Sequence, residues 1–350
     1  MEKRAIFNEL PRPTFRWLKV NYTESQIEEG QHPAMVTVFS EEGIVAPLGK
    51  RELLKESFLG ANKESLEAVT AHYTAGFAVT VPDGAHEKVE VVIDADADTV
   101  NEKTRIVATV GENATLELLY HLKGRAESGN VTLLTEVLAK KQANVTIKKV
   151  QLLGEGVQQI EHRYTKFEED SKVEYINVEL GGKENILYYD EDLIGECAEL
   201  VHDLAYLGEK EQRFDISMLM SHIGKKTVSD IHTLGALSGK SKKAFRGTLD
   251  FIRGSVASEG AEEDTCLLLD PEVKSVSLPL LLCKEDNVVG NHAASAGQLD
   301  QTKLFYLMSR GFSESEAKHI IVESMLRPII DRIGNEDIEE AALAAVRAKI

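Results

Sequence analysis

Cys283 and His292 are the residues whose types and spacing could do chemistry in this 350-residue chain. His292 stands nine positions after Cys283, among small residues in the stretch GNHAASAGQLD, 290–300. A thiolate and a neutral imidazole are good ligands for iron or zinc. Because two ligands cannot complete a tetrahedral site, a metal here would be incompletely held or shared with a partner. Spacing alone does not separate this role from packing, since isolated Cys and His side chains usually pack.

We interpret the remaining candidate residues as structural. His222 and His232 are expected as polar side chains on the outer face of a strand. Cys266 lies in an apolar run and is predicted to be a buried packing thiol, and Cys197 is also expected to be buried. The acidic stretch GGKENILYYDED, 181–192, lacks the spacing of an EF-hand loop and is predicted to be a solvated turn region.

Several classes of protein are disfavoured by motifs and composition. The sequence has no G-x-x-x-x-G-K-[ST] motif, so we do not expect a P-loop ATPase, and it also has no G-x-S-x-G, H-E-x-x-H or C-x-x-C motif. The net charge of -18 argues against nucleic-acid binding, which needs concentrated Lys and Arg. No segment approaches the roughly 20 apolar residues of a membrane helix, and the N-terminal residues do not resemble a signal peptide. Three widely separated cysteines fit reduced thiols, so we expect a cytoplasmic protein.

Short β-type runs that recur at a fixed period dominate residues 74–289. Turn residues precede such runs at five positions spaced 29, 29, 26 and 28 residues apart, namely Asn113, Gln142, Ser171, Cys197 and Lys225. A sixth run, GKSKKAFRGTLDFIRG, follows after a shorter interval of 17 residues. A period in the twenties is typical of a solenoid, and short parallel strands make that solenoid a β-helix. The alternative is an antiparallel sandwich, whose strands also recur.

Helical regions are expected on both sides of this β-helix core. Residues 1–73 are predicted to be partly helical, with apolar residues at helical spacing within 48–70. Residues 290–350 form the C-terminal helical region, in which the stretch 290–300 is a loop that leads into the helices. Asp300 is a helix N-cap, Ser313 and Glu316 form a capping box, and Pro328 kinks or stops the second helix.

The C-terminal third contains the stretch PLLLCKEDNVVGNHAASAGQLDQTKLFYLMSRG. It is similar to a pattern of a polar loop, S-H-G-A-T-x-G-x-[LI]-D and F-Y-L-x-x-R-G, and in this it resembles the SufB/SufD family of iron–sulfur cluster assembly proteins. Upstream, FRGTLDFIRG resembles the family's F-x-G stretch. The histidine followed by small residues and GQLD is most like SufD. The departures are Asn291, Ala293 and Gly290, which stand where the family usually has Ser, Gly and often Cys.

This resemblance implies a fold and a set of partners. The family fold is a right-handed parallel β-helix flanked by helices, with pairing to a SufB-like chain through the β-helix and binding of the SufC ATPase through the C-terminal helices. His292 matches a motif histidine at the partner interface, and Cys283 is a weaker candidate for the same metal. The resemblance therefore implies a non-catalytic scaffold subunit without a tightly bound cofactor, holding iron or a cluster transiently; a homodimer is an alternative to the SufB pair. The competing functions are a β-helix carbohydrate-active enzyme and a purely structural interaction protein.

Overall fold

A computed structural model of the chain describes residues 4–14, 16–50 and 52–350. The α-helices in this part of the chain are α1 (Lys63–Ala71), α2 (Gln301–Ser309), α3 (Glu314–Ile330) and α4 (Glu336–Lys349). A short 3-10 turn covers Arg16–Leu18. None of the helices in the described residues is long and apolar enough to cross a membrane.

Strands make up most of the molecule. In chain order they are β1 (Ala5–Phe7), β2 (Thr23–Ser25), β3 (Met35–Ser40), β4 (Val45–Pro47), β5 (Ala75–Val81), β6 (His86–Asp94), β7 (Thr99–Val110), β8 (Thr115–Lys123), β9 (Ser128–Ala139), β10 (Asn144–Leu152), β11 (Val157–Phe167), β12 (Lys172–Glu179), β13 (Glu184–Leu193), β14 (Glu199–Gly208), β15 (Arg213–His222), β16 (Val228–Leu237), β17 (Lys242–Phe251), β18 (Ser258–Leu268), β19 (Lys274–Cys283) and β20 (Val288–Gln298).

Two nine-stranded sheets face each other across one core. The even sheet holds β3 and the even-numbered strands β6 to β20, and the odd sheet holds β4 and the odd-numbered strands β5 to β19. Each strand from β7 onward pairs in parallel with the strand two places before it, so the chain winds alternately through both sheets. Strands β3 and β4 add to their sheets in the antiparallel direction. The predicted parallel β-helix is therefore confirmed, and the antiparallel sandwich is wrong.

The repeated turn residues that the sequence singled out form the corners of the coils. Asn113, Gln142 and Cys197 have positive φ angles of 55°, 58° and 61°, and such left-handed residues reverse the chain in a tight turn. At the other two corners the left-handed residue, Asp170 or Lys226, lies one position from the predicted one. The sixth predicted repeat was wrong, because that run forms β17 of the odd sheet and starts at the opposite corner of its coil.

Helices α3 and α4 cover the outer face of the even sheet. Both helices bury apolar side chains against outward-facing residues of the even strands, in one cluster that contains Val150, Val178 and Ala205 from the sheet and Leu326 and Leu343 from the helices. Each residue of this kind removed from water contributes about 1.5–3 kcal/mol when fully buried. The C-terminal helices are thus packed on the β-helix, and this packing positions the segment that follows β20.

The helix signals of the C-terminal region are confirmed in detail. The Asp300 carboxylate accepts from the amides of Thr302 and Lys303, and Ser313 and Glu316 form the reciprocal capping box. Pro328 does not stop α3, which continues to Ile330. Pro328 lies close to the C-terminal end of α3, so it disturbs few of the backbone hydrogen bonds of the helix.

The structure differs from prediction at both borders of the β-helix. The apolar run within 48–70 is not helical over Leu54 and Phe58, because these side chains pack as an irregular segment against Leu134 and Tyr164 on the odd sheet. The helix begins only at Lys63. At the other border, 290–298 is the body of strand β20 rather than a loop, since its backbone continues the parallel ladder on β18. Residues 1–3, 15 and 51 of the predicted N-terminal region lie outside the described residues.

Candidate functional site

His292 lies in the last strand of the even sheet and faces the core side of the final coil. In β20 it is the register partner of Glu262 on β18, so both side chains project from the same face of the sheet. Glu262 is buried in the core, and its carboxylate reaches across to Gly247 of the odd sheet, where an added β-carbon would collide with it. His292 is exposed because, among the described strands, β20 is the last of its sheet. The histidine thus stands at the open end of the β-helix.

Cys283 belongs to the same coil as His292 but lies at a different position in it. It ends β19, where it is exposed, and it is the register partner of Phe251. Across the core, a β-carbon built on Gly290 would lie 3.5 Å from the side chain of Leu281, so these two positions face each other. From this facing pair, Cys283 lies two residues further along β19, toward the turn. His292 lies two residues further along β20, away from the turn. Their β-carbons are therefore separated by about 13 Å along the strands.

The structure thus does not assemble a complete metal site from these two residues. Within the described ranges, no group of three or more His, Cys, Asp or Glu side chains is arranged to hold a metal ion. The metal role of His292 and Cys283 stays a prediction, and it requires ligands from outside this coil or from a partner.

Glu262 is the residue near His292 that sequence reasoning missed. Burial raises the pKa of its carboxyl to about 8; the neighbouring Asp264 raises it further and Lys243 opposes the rise. Neither carboxylate oxygen of Glu262 has a hydrogen-bond partner in the described part of the chain. Asp264, in contrast, is satisfied by an ion pair with Lys243 and a hydrogen bond from Thr233. The alternation in SEGAEEDTC could have revealed Glu262, because it shares the inward face of β18 with Gly260 and the buried Cys266.

The final coil leaves the edges of both sheets open. Strand β20 ends the even sheet and β19 ends the odd sheet, and neither pairs on its outer side with any strand in the described part of the chain. Nearly every residue of β20 is exposed. An open strand edge presents unpaired backbone groups and is a template for pairing with another chain.

The predictions for His222 and Cys197 were wrong. His222 is fully buried inside the β-helix, where its ring nitrogens hydrogen-bond to the hydroxyls of Thr227 and Ser229 at 2.8 and 2.9 Å. Burial lowers the pKa of His222 to about 4, so the ring is neutral. Cys197 is partly exposed because it forms a left-handed corner rather than part of a strand.

The predictions for His232 and Cys266 are confirmed. The outward-facing imidazole of His232 lies 3.0 Å from Asp203, whose hydrogen bond raises the pKa of the histidine. Cys266 is buried in the core.

The stretch 181–192 was also predicted wrongly, since it forms the buried strand β13. Its acidic side chains Asp190 and Asp192 face outward and both accept from Lys55 of the N-terminal region, at 2.7 and 2.8 Å. Glu191, which stands between them, lies on the inward face with Leu187 and Tyr189, so the acids of this covered strand are divided between its two faces.

A second polar cluster lies in the middle of the core, several coils away from His292. Lys149 pairs with both Glu161 and Glu179, and Arg163 pairs with Glu161 at 2.6 Å. Burial opposes ionisation of Glu161, but the charges of Arg163 and Lys149 outweigh it and lower its pKa to about 2. The guanidinium of Arg163 also stacks between Tyr175 and Tyr189, 4.6 and 4.5 Å from the two ring centroids.

This buried ionic cluster could have been found by strand alternation. In VQQIEHRYTKF, Glu161 and Arg163 fall on the same face as Val157 and Phe167, which belong to the apolar core. The cluster is complementary in charge and enclosed, which are features of a structural ion-pair network.

Apolar side chains are exposed on the helices that follow β20. Phe305, Tyr306 and Met308 on α2 are 73%, 56% and 43% exposed, and Phe312 and Ile320 are 41% and 39% exposed on the adjoining turn and α3. These five residues are called the helical patch below. Contiguous apolar surface of this kind is typical of a protein–protein contact.

Comparisons with known proteins agree on one family. Residues 91–325 match the model of the SUF system FeS cluster assembly SufBD core domain. The chain is 26% identical over 219 residues to the iron–sulfur cluster assembly protein SufD of Bacillus subtilis, covering 62% of this chain and 50% of that protein. It is 26% identical over 273 residues to SufB of the same organism, covering 76% of this chain and 58% of SufB. An iron–sulfur cluster assembly SufBD family protein of Mycobacterium leprae is 25% identical over 269 residues, 74% of this chain and 30% of that protein. The chain thus spans about half or less of the length of several relatives it matches.

Proposed function

The chain belongs to the SufBD family of iron–sulfur cluster assembly proteins, and we propose that it works there as a SufD-like, non-catalytic scaffold subunit in the cytoplasm. The observation that carries this proposal is the position of His292. It stands at the open end of the β-helix, on a strand whose outer edge is unpaired within the described residues. A partner that docks on this end would cover the histidine and supply the ligands that this coil lacks.

The partner surface is formed by the free edges of β19 and β20. A SufB-like chain, or a second copy of this chain, would extend both sheets by adding its own terminal strands. Main-chain hydrogen bonds along ten-residue edges provide affinity without demanding a particular side-chain sequence. The two edges together also fix the orientation of the partner, because both sheets must be continued at once.

Iron or a nascent cluster is the cargo of this interface, held transiently rather than as a resident cofactor. His292 would provide an imidazole ligand from this chain, and the partner would provide a thiolate. Cys283 is exposed on the same coil but lies about 13 Å away along the strands, so it would serve a separate or later position.

The helical patch supports a second partner surface for the SufC ATPase. Its aromatic residues Phe305 and Tyr306 lie on α2, directly after the interface strand β20, and Phe312 lies on the turn that follows. Helices α3 and α4, which come next in the chain, pack on the even sheet. Aromatic residues are enriched among the dominant contacts of protein interfaces. The ATPase would therefore bind beside the SufB interface, where movement of the helices can be transmitted to β20.

Deletion of the whole C-terminal region would be a poor test, because it would expose the apolar face of the even sheet that α3 and α4 cover. A Phe305→Glu variant avoids this problem, since the side chain is already largely exposed. We expect it to abolish co-purification with SufC while SufB-like pairing persists. Phe39→Glu, a matched change of an exposed phenylalanine on β3, should leave both associations unchanged. Equal SufC recovery with both variants would contradict the docking proposal.

A further inference from the structure

Glu262 is a buried acidic residue in the core directly beneath the last coil. Only 3% of the residue is exposed, yet no residue that the structure describes forms a hydrogen bond with either carboxylate oxygen. A buried carboxylate without partners is costly to a fold, and such groups are usually retained for a function. The hydroxyl of Ser277, on β19 of the last coil, is also buried without a hydrogen-bond partner among the described residues. Other such atoms lie in the middle of the core, but there they belong to the ionic cluster around Arg163 or its neighbours, whereas Glu262 lies next to the open end.

The surroundings of Glu262 make room for its carboxylate but do not neutralise it. Gly247 faces it from the odd sheet, and any larger residue there would occupy the space that the carboxylate takes. The nearest cation, Lys243, forms its ion pair with Asp264 instead. The carboxyl group of Glu262 thus lies against Gly247, with neither oxygen bound by a hydrogen bond from the described residues.

His292 is the next side chain on that side. It is the register partner of Glu262 on the adjacent parallel strand, and register partners in a sheet lie about 4.8 Å apart. Imidazole nitrogen and carboxylate oxygen bind a metal ion at about 2.0–2.2 Å each. One ion placed between the two side chains could bind both, after rotamer changes and release of the carboxyl proton of Glu262 to solvent.

We propose that Glu262 is this chain's own second ligand for the cargo iron at His292. This inference rests on the proposed function, since it deepens the role given there to His292. It makes the site on this chain a carboxylate–imidazole pair, to which a partner needs to add only the remaining ligands. A hard carboxylate oxygen beside an imidazole suits Fe²⁺ and leaves a softer partner thiolate to bind the sulfur-rich cluster side.

The test compares Glu262→Gln, His292→Ala and the control Glu263→Gln in the full chain. Glu263 is adjacent on β18 but exposed on the opposite face, so its substitution matches the chemistry and the strand. Fe²⁺ is titrated anaerobically in competition with a chromogenic chelator, with the chain alone and with its SufB-like partner added. We expect Glu262→Gln and His292→Ala each to weaken Fe²⁺ binding about 10–100-fold and Glu263→Gln to leave it unchanged.

A second measurement separates a ligand from a packing residue. The urea midpoint of the iron-free Glu262→Gln protein should equal or exceed that of the wild type, because the isosteric amide removes a carboxylate that folding leaves unsatisfied. If iron affinity and urea midpoint fall together, Glu262 is structural and the inference is wrong. If only His292→Ala weakens binding, the inference is wrong while the proposed function stands. If the wild type binds no Fe²⁺ in either form, or His292→Ala binds like the wild type, the proposed role of His292 fails as well.

Discussion

Glu262 on β18 and Gly247 on β17 meet across the core of the β-helix, where the glycine provides the space that the glutamate carboxylate fills. This contact joins the two sheets directly beneath the coil that carries His292. It also determines where the unsatisfied carboxylate points. The relationship can be tested by filling the space.

A Gly247→Ala substitution should destabilise the fold by about 1–3 kcal/mol, because the new β-carbon collides with the Glu262 carboxylate. Chemical denaturation measures the loss. The control is Gly297→Ala on β20, where an added β-carbon meets no atom within 4 Å and should cost less than about 0.5 kcal/mol. Adding Glu262→Ala to Gly247→Ala should recover part of the stability. Equal effects of the two alanine substitutions would show that the carboxylate does not occupy this space.

The buried ionic cluster should be essential to stability. Lys149→Met leaves the carboxylates of Glu161 and Glu179 without their shared cation, and removal of one partner from a buried pair costs about 3–5 kcal/mol. Lys172→Met breaks an exposed pair with Glu199 in the same sheet and should cost at most about 1 kcal/mol. Urea unfolding of both variants tests the contrast. A small effect of Lys149→Met would mean that the cluster is hydrated rather than enclosed.

Acid should weaken the attachment of the N-terminal helix through His162. This ring accepts from the amide of Ala61 at 3.0 Å, and burial lowers its pKa to about 3, against a weaker opposing effect of Glu161. Below about pH 6.5 the unfolded chain binds a proton that the folded chain does not. The histidine therefore stabilises the fold fully above that pH, and its contribution is lost as the pH falls toward 3, at about 1.4 kcal/mol per pH unit.

The His162 prediction is checked by unfolding at a series of pH values. His162→Gln should show a smaller slope of unfolding free energy between pH 6.5 and 4 than the wild type. His86→Gln, at an exposed position on β6, is the matched control and should keep the wild-type slope. Parallel curves for all three proteins would show that His162 is not the titrating group.

The open edges should be the surface that pairs with another chain. Ala294 and Ala296 are exposed on β20, and lysine at both positions places charges on an edge strand, which discourages strand pairing. Sedimentation should show loss of the dimer or heterodimer without loss of β-sheet circular dichroism. Ser40→Lys, on β3 at the opposite end of the even sheet, should leave association intact. Association that survives the double lysine variant would move the interface elsewhere.

Much of the fold could be predicted because single residues mark its repeat. The corners of the coils require left-handed residues, and Asn113 and Gln142 recur at the coil period for that reason. The helix caps at Asp300 and Ser313 are likewise local signals. In contrast, the irregular segment that contains Phe58 is held only by its contact with distant strands, so its apolar spacing predicted a helix wrongly.

The candidate site was predictable only in part, for a related reason. His292 could be selected from its motif, but its neighbours in the fold depend on how the strands pair. Glu262 is 30 positions away along the chain and becomes its neighbour only through the register of β18 and β20. Cys283 looked closer in sequence, yet the turn between β19 and β20 places it at the far side of the coil. Sequence distance is therefore a poor guide to contact in a solenoid.

The most direct test of the account is cluster assembly by a complex that contains His292→Ala. The variant is co-purified with its SufB-like partner and SufC, supplied anaerobically with iron and sulfide, and followed by absorbance spectroscopy, with His86→Ala as the matched control. We predict that the complex forms normally and that its cluster content falls about tenfold or more, while the control matches the wild type. Unchanged cluster content in an intact His292→Ala complex would contradict the account.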